Sequence, residues 1–366
     1  MKITLTIISS LLLLSQSLFG QLDSIYDQGV NRTYIVHLPT GYNVNNQYPI
    51  VLNLHGLGAS ATLQQSYSEF DNIADDKGFI VVYPNAYSNS WTTIGNTDID
   101  FLSNLVDTIR SEFSSNNCLF VMGLSQGGFL TYKFANNTDL IVTAIAVGSG
   151  NMSNATQNAS SDAPQIPIMH FHGTADESVP FNGTGSFIPP VDSTIQWWVR
   201  HNECNPYPTV TNMPNLNSTD SSTVERYYYN GGANGSEVTY YKILNGGHTW
   251  SGSDPFPSLG VTNQDINQSE IIGDFFEKYC SVTTSLNDNM MNNSFNVYPN
   301  PSNGSITVRG NSDLKGLNIY DTFGRVIYIK EIDTQSTRLN ISIPGVYFIE
   351  VINRNGTKSI KRLVVQ

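Results

Sequence analysis

With three cysteines in 366 residues, this chain cannot be a disulfide framework and must hold itself together with an apolar core. Charge is also scarce, at 13% of residues, and what there is leans acidic: 18 Lys and Arg against 30 Asp and Glu, for a net −12. That balance argues against nucleic acid as the main partner. After the first twenty residues no apolar run is long enough to cross a bilayer, so no transmembrane segment is expected. There is no H-E-x-x-H, no cysteine pair at zinc spacing, no D-x-D-x-D-G loop, no P-loop and no dinucleotide fingerprint. The chemistry is therefore expected to need no metal and no cofactor.

What is present suits a globular core. Hydrophobic residues make up 39% and aromatics 11%, and the length allows one large domain and one small one. Residues 1–20 read as a secretory signal: Lys2 gives a positive start, Ile8–Leu14 an apolar stretch, and Gly20 a small residue before Gln21. Export to an oxidising compartment follows, and there Cys204, after a helix at 195–200, and Cys280, at the end of the last helix of the main domain, are expected to pair. Cys118 opens a buried strand and reads as a core thiol.

From 21 to 280, apolar β-branched runs alternate with helical spacing, the signature of a doubly wound α/β domain with a mostly parallel sheet. Strands are expected at 34–38, 50–54, 79–83, 140–147, 166–171 and 238–244, and helices at 62–77, 100–113, 195–200 and 271–279. The stretch 202–234 is polar and gives little signal. Residues 281–294 read as a linker. From Phe295 to the C-terminus, short alternating strands punctuated by Gly and Asn suggest a small β-sandwich. Its charge differs too: nine basic against five acidic residues give +4, while nine against 25 leave the preceding part at −16.

The strongest local motif is Gly123-Leu124-Ser125-Gln126-Gly127, between an apolar strand and the amphipathic segment 129–135. A serine on such a turn is forced clear of the sheet, provided its neighbours lack bulk. Ser125 is the expected nucleophile. The orienting acid should follow a later strand, and Asp176 in His172-Gly173-Thr174-Ala175-Asp176 fits best, with Glu177 as its competitor. Of six histidines, His248 follows the domain's last strand behind two glycines, so Ser125, Asp176 and His248 come in the chain order this arrangement requires. The oxyanion donors are expected at the Gln126 amide and in Leu54-His55-Gly56-Leu57-Gly58, at the Leu57 amide or alternatively Gly56. For His55 itself the plain reading is a side chain that braces that loop. Trp91, Trp250 and Tyr87 are the expected substrate-binding aromatics, with Phe181 and Phe187 weaker choices.

Asn53–Ala61, Gly123–Gly128, His172–Pro180 and Gly246–Trp250 together resemble the poly(3-hydroxybutyrate) depolymerase and feruloyl esterase group of secreted α/β-hydrolases. The resemblance implies a serine esterase with an acyl-enzyme mechanism, acting on a polymeric or aryl ester. It departs from the family where Ser251, in place of proline, follows Trp250. The tail resembles the C-terminal sorting domain of type IX secretion substrates at Val297–Gly304, Asp321–Arg325, Pro344–Tyr347 and Lys361–Val365. That resemblance implies the type IX machinery as a partner and a secreted or surface destination. The expected substrate is a polyester such as polyhydroxybutyrate, and by extension an aromatic polyester such as poly(ethylene terephthalate). The alternative is a feruloyl or acetylxylan ester of plant cell wall, and a non-catalytic surface adhesin is the rival from another class.

Overall fold

A computed structural model describes residues 22–92, 95–160, 163–280, 283–284, 295–321, 325–354 and 358–366. The expected signal sequence and, apart from Thr283 and Thr284, the expected linker lie outside the described residues. The chain divides into two compact units, with the division between Thr283 and Thr284.

In chain order the first unit contains β1 (Leu22–Asp27), β2 (Val30–His37), β3 (Asn46–Leu54), α1 (Ala61–Ser68), α2 (Phe70–Lys77), β4 (Ile80–Pro84), α3 (Thr97–Glu112), β5 (Ser115–Leu124) and α4 (Gln126–Asn137). It continues with β6 (Ala144–Gly148), α5 (Asn154–Ala159), β7 (Ile168–Gly173), α6 (Val191–His201), β8 (Thr209–Asn212), β9 (Thr223–Tyr229), β10 (Val238–Leu244) and α7 (Gln268–Tyr279). The strands lie in the order β1-β2-β4-β3-β5-β6-β7-β10-β9-β8. From β4 to β10 they run parallel, and the flanking pairs at both ends are antiparallel.

Alternation along the central strands builds a core on each face of the sheet. Ile50, Leu52 and Leu54 of β3 point into a layer roofed by α3, α4 and α6 through Phe101, Leu105, Phe134 and Trp198. Val51 between them faces the opposite layer, covered by α1, α2 and α7 through Phe70, Ala74 and Phe276. There Phe120 of β5 stacks on Phe276 with ring centroids 4.4 Å apart. Each such fully buried ring contributes on the order of 2–3 kcal/mol from apolar burial. This is the doubly wound α/β architecture that the alternation of strands and helices indicated.

Three details differ from expectation. The apolar spacing over 62–77 continues through Glu69, yet the chain turns left-handed there (φ 47°), giving two helices that bring Ala61 and Phe70 to one core. The weakly patterned stretch 202–234 contains β8 and β9, with β9 pairing β10 antiparallel. The third is a correction: the disulfide joins Cys118 to Cys280, and Cys204 is a buried free thiol. The sheet itself explains this. Cys118 and Cys280 both pack against the α1–α2–α7 layer, whereas Cys204 belongs to the layer on the other face.

The second unit is all-β, as its alternation suggested. Strands Phe295–Tyr298, Ser305–Tyr320, Gly345–Asn353 and Lys358–Val365 are hydrogen-bonded in that order, and Val326–Asn340 pairs with Ser305–Tyr320. These four strand pairings are antiparallel, and an isolated parallel bridge joins Ser302 to Val365. Register shifts between Arg309 and Gly316 bend the long strand, so its first half pairs with 295–298 and its second with 345–353 around one core of Ile306, Leu317, Ile349 and Leu363.

Candidate active site

Ser125 is the hinge between β5 and α4, with φ 54° and ψ −120°. A non-glycine residue in that region costs about 1–3 kcal/mol and persists only when its surroundings fix it. Here its N–H donates to the Gly148 carbonyl (2.9 Å) and its carbonyl accepts from Phe129 N–H (3.1 Å). The flanking glycines are steric requirements. A Cβ on Gly123 would lie 2.5 Å from the Gly127 carbonyl carbon, and one on Gly127 would lie 2.3 Å from the Leu54 oxygen. The pentapeptide spacing therefore records how closely the elbow is pressed against itself and against the end of β3.

Asp176 lies in the turn after β7 and is buried. Its Oδ1 accepts from the amides of Ser178 (2.9 Å) and Val179 (2.8 Å), and its Oδ2 meets His248 Nδ1 at 2.8 Å. A carboxylate only accepts at neutral pH, so this contact places the proton on Nδ1 and leaves the lone pair on Nε2 of a neutral ring. The acid turn and the histidine loop are tied together directly. Thr174 N–H donates to the Ile243 carbonyl and Ala175 N–H to that of Gly246, both at 2.9 Å. His248 is held in turn by its own N–H to the Leu259 carbonyl (2.7 Å). The structure thus brings Asp176 and His248 together, and Glu177, the competing acid, is exposed.

The loop after β3 approaches the elbow closely: a Cβ on Gly56 would lie 3.3 Å from Ser125 Cβ. His55 braces that loop. Its Nε2 accepts from Ala86 N–H (3.0 Å), which leaves Nδ1 to donate to the Gly56 carbonyl (2.7 Å). Burial, the largest influence, lowers its pKa and keeps it the neutral ring this bonding needs. Leu57 projects into solvent. Beside it the Gln126 side chain clamps the next loop, accepting from Trp91 N–H (3.0 Å) and donating to the Trp91 carbonyl (3.1 Å).

The aromatic expectations divide. Tyr87 is 61% exposed, two residues before Asn89, whose carbonyl accepts from Gly58 N–H of the loop after β3. Trp250 is a correction: it is buried against Gly148, where a Cβ would lie 2.9 Å from its ring, and its Nε1 donates to Ser269 Oγ at 2.9 Å. Gly148 has no side chain in that space, and the indole fills it, packing into the core layer that holds Ile266 and Ile272. Trp91 is also buried; its Nε1 donates to the His55 carbonyl (2.8 Å), and it lines a cavity of about 30 Å³ with Gln126, Phe129, Lys133 and Phe187. Sequence reasoning missed Phe256, a half-exposed ring three residues from the Leu259 carbonyl that holds His248. No local motif marks it.

Fold and site geometry define the class: an α/β-hydrolase unit with a sharp serine turn and a buried acid–histidine pair at the ends of its parallel strands. Residues 84–191, which include Ser125 and Asp176, match a family model described as phospholipase/carboxylesterase. Residues 296–366 match the secretion system C-terminal sorting domain, and the chain is accordingly a secreted or cell-surface protein carrying a type IX sorting signal. Among curated relatives, a bifunctional acetylxylan esterase/xylanase of Neocallimastix patriciarum is 26% identical over 62% of this chain and 32% of its own length. Feruloyl esterase D of Neurospora crassa is 28% identical over 43% of this chain and 57% of its own length. The chain thus spans less than two thirds of either relative. An acetyl xylan esterase from Aspergillus awamori aligns at a TM-score of 0.47 and 18% identity, over 63% of this chain and 94% of that one. Among the described residues no helix is long and apolar enough to cross a membrane.

Proposed function

We propose that the protein is a secreted serine carboxylesterase acting on acetyl or hydroxycinnamoyl esters of plant cell-wall polysaccharide. The observation that carries the reading is the Asp176–His248 contact at 2.8 Å, in the same sheet edge as a serine held at φ 54°. Relatives named as acetylxylan and feruloyl esterases support this substrate class. In the proposed cycle Ser125 Oγ attacks the ester carbonyl carbon as His248 Nε2 takes the hydroxyl proton. The amides of Gln126 and Leu57 hold the oxyanion, each donor contributing about 3–4 kcal/mol to the transition state. Collapse expels the alcohol, which takes the proton from His248. A water then attacks the acyl-enzyme, giving its proton to His248, and the acid leaves as Ser125 recovers its hydrogen. Asp176 stabilises the imidazolium in both halves.

Polyester hydrolysis is the second reading. The exposed Leu57, Tyr87 and Phe256, on loops hydrogen-bonded to the site, support it, because they offer an apolar rim to a chain lying across the surface. Acetylated xylan, methyl ferulate, polyhydroxybutyrate film and an aromatic polyester, assayed in parallel, separate these readings. Release of acetate or ferulate at a kcat/KM at least about tenfold above release from either polyester is the expected result. Faster turnover of a polyester overturns the wall-ester reading in favour of the second. Hydrolysis persisting in Ser125→Ala overturns both.

A further inference from the structure

Behind the acid lies a row of buried side chains that the proposed cycle does not use. His172, at the end of β7, places Nε2 2.8 Å from the Val179 carbonyl and 3.5 Å from Asp176 Oδ2. Its Nδ1 lies 3.3 Å from Nε2 of His170, two residues earlier, and the two rings stack. His170 Nδ1 in turn meets the Tyr132 hydroxyl of α4 at 2.8 Å. A carbonyl can only accept, so His172 Nε2 must carry a proton. Burial lowers the pKa of both imidazoles, that of His170 well below its ordinary value, so each is neutral and has one N–H. One pattern then satisfies these three contacts: Tyr132 O–H donates to His170 Nδ1, His170 Nε2–H to His172 Nδ1, and His172 Nε2–H to the Val179 carbonyl. The Val179 amide is itself a donor to Asp176 Oδ1.

We propose that His172 is a positioning residue for the Asp176 carboxylate, fixing the 176–179 turn, with its tautomer imposed by Tyr132 through His170. The proposal rests on the reading of Asp176 and His248 as the acid and base of the site. Reversing the tautomer of His172 would set a lone pair against both the Val179 carbonyl and the carboxylate, which the buried row prevents. The titratable groups around it come from several elements: Tyr132 on α4, His170 on β7, Asp176 after it, Tyr240 and Lys242 on β10, and His248 beyond β10. Tyr240 packs its ring edge on His170 at 5.7 Å, while Lys242, alongside His172 in register, turns its ammonium over Phe181. A lysine so placed leaves the His172–Asp176 contact to neutral donors.

The test compares the full chain with its His172→Leu, His172→Gln and Tyr132→Phe variants in p-nitrophenyl acetate hydrolysis across pH, with active sites titrated by a fluorophosphonate. His172→Leu is expected to lower kcat per titrated site about 10- to 100-fold at nearly constant KM, and to move the acid limb of kcat/KM to lower pH, because a misplaced carboxylate no longer favours the imidazolium. His172→Gln, which can still donate an N–H to the Val179 carbonyl, is expected to recover most of the loss. Tyr132→Phe, which removes one hydroxyl and keeps the ring, is expected to show the same limb movement with about a two- to fivefold loss, and carries the test if His172→Leu does not fold. A titrated kcat within about twofold of the unaltered protein and an unmoved acid limb, in His172→Leu or in its absence in Tyr132→Phe, overturns the proposal and makes the row plain core packing. Ser125→Ala, run alongside, identifies a different failure: if it still hydrolyses the ester, the assignment of the nucleophile is wrong.

Discussion

Two parts of the same sheet edge are built on opposite principles. Asp176 takes three hydrogen bonds of 2.8–2.9 Å in a side chain with no exposed surface, and the loops that carry it and His248 are bonded to one another. Across the elbow, Leu57 is 66% exposed and Tyr87 nearly as much. Under the proposed cycle, the difference separates reaction from selectivity. Proton transfer requires a carboxylate and imidazole whose geometry cannot relax, and buried polar groups are strongly penalised for losing a partner. Exposed side chains such as Leu57 and Tyr87 carry no such penalty, so they can change without unsettling the fold.

The contrast can be broken most severely at the acid. Asp176→Asn should reduce kcat on p-nitrophenyl acetate by about 10⁴, since the amide can present a donor to His248 and favour the wrong tautomer. Steady-state kinetics with correct far-ultraviolet circular dichroism checks that the fold survives. Next comes the buried pair that supports the loop under the rim. Arg32 and Asp98 meet at 2.7 Å, Asp98 also accepts from Thr92 N–H, and the guanidinium lies 3.8 Å over the Phe101 ring. Asp98→Ala leaves a buried cation unpaired and should destabilise the protein by about 3–5 kcal/mol in urea unfolding. Reducing the Cys118–Cys280 bridge, or the Cys280→Ser variant, frees a separation of 162 residues and should cost about 2–5 kcal/mol in the same measurement.

Acidity sharpens the comparison from the buried side. His55, His170 and His172 have folded pKa values below the ordinary 6.5, burial being the first cause in each. Below pH 6.5 the unfolded chain binds protons at these rings while the folded chain does not, so the unfolded state holds more protons and stability falls as pH drops. Unfolding free energy should therefore be level above about pH 7 and decline below 6.5, with a shallower decline in His172→Gln. The smallest effect belongs to the rim. Leu57→Ser and Tyr87→Ser should leave p-nitrophenyl acetate turnover within about twofold and change KM on a polymeric ester by about three- to tenfold. Equal effects on both substrates would contradict the division.

Much of this site was readable because its constraints are local. The elbow glycines answer to atoms within a few residues or at the end of β3, and Asp176 and His248 each follow a strand with a strong apolar pattern. The parts that stayed hidden depend on which face of the sheet a residue occupies. Cys204 and Cys280 were as plausible a pair as any until the sheet came between them. Trp250 lies two residues beyond His248, yet its ring fills the space left open by Gly148 in the core, a packing that the sequence spacing does not show. The His172–His170–Tyr132 row joins β7 to α4 across 38 residues of sequence, and no motif spans that gap. The stretch containing β8 and β9 is rich in Thr, Asn and Tyr, too polar for alternation to show, and its pairing is set by β10.

The central claim is that Ser125 is an activated nucleophile served by His248 and Asp176. Reacting the full chain with a fluorophosphonate and locating the adduct by peptide mass spectrometry tests it most directly. One adduct per chain is expected, on the peptide containing Ser125, absent in Ser125→Ala and strongly slowed in His248→Ala. An unlabelled Ser125 in a protein that still hydrolyses esters, or an adduct at another residue, would contradict it.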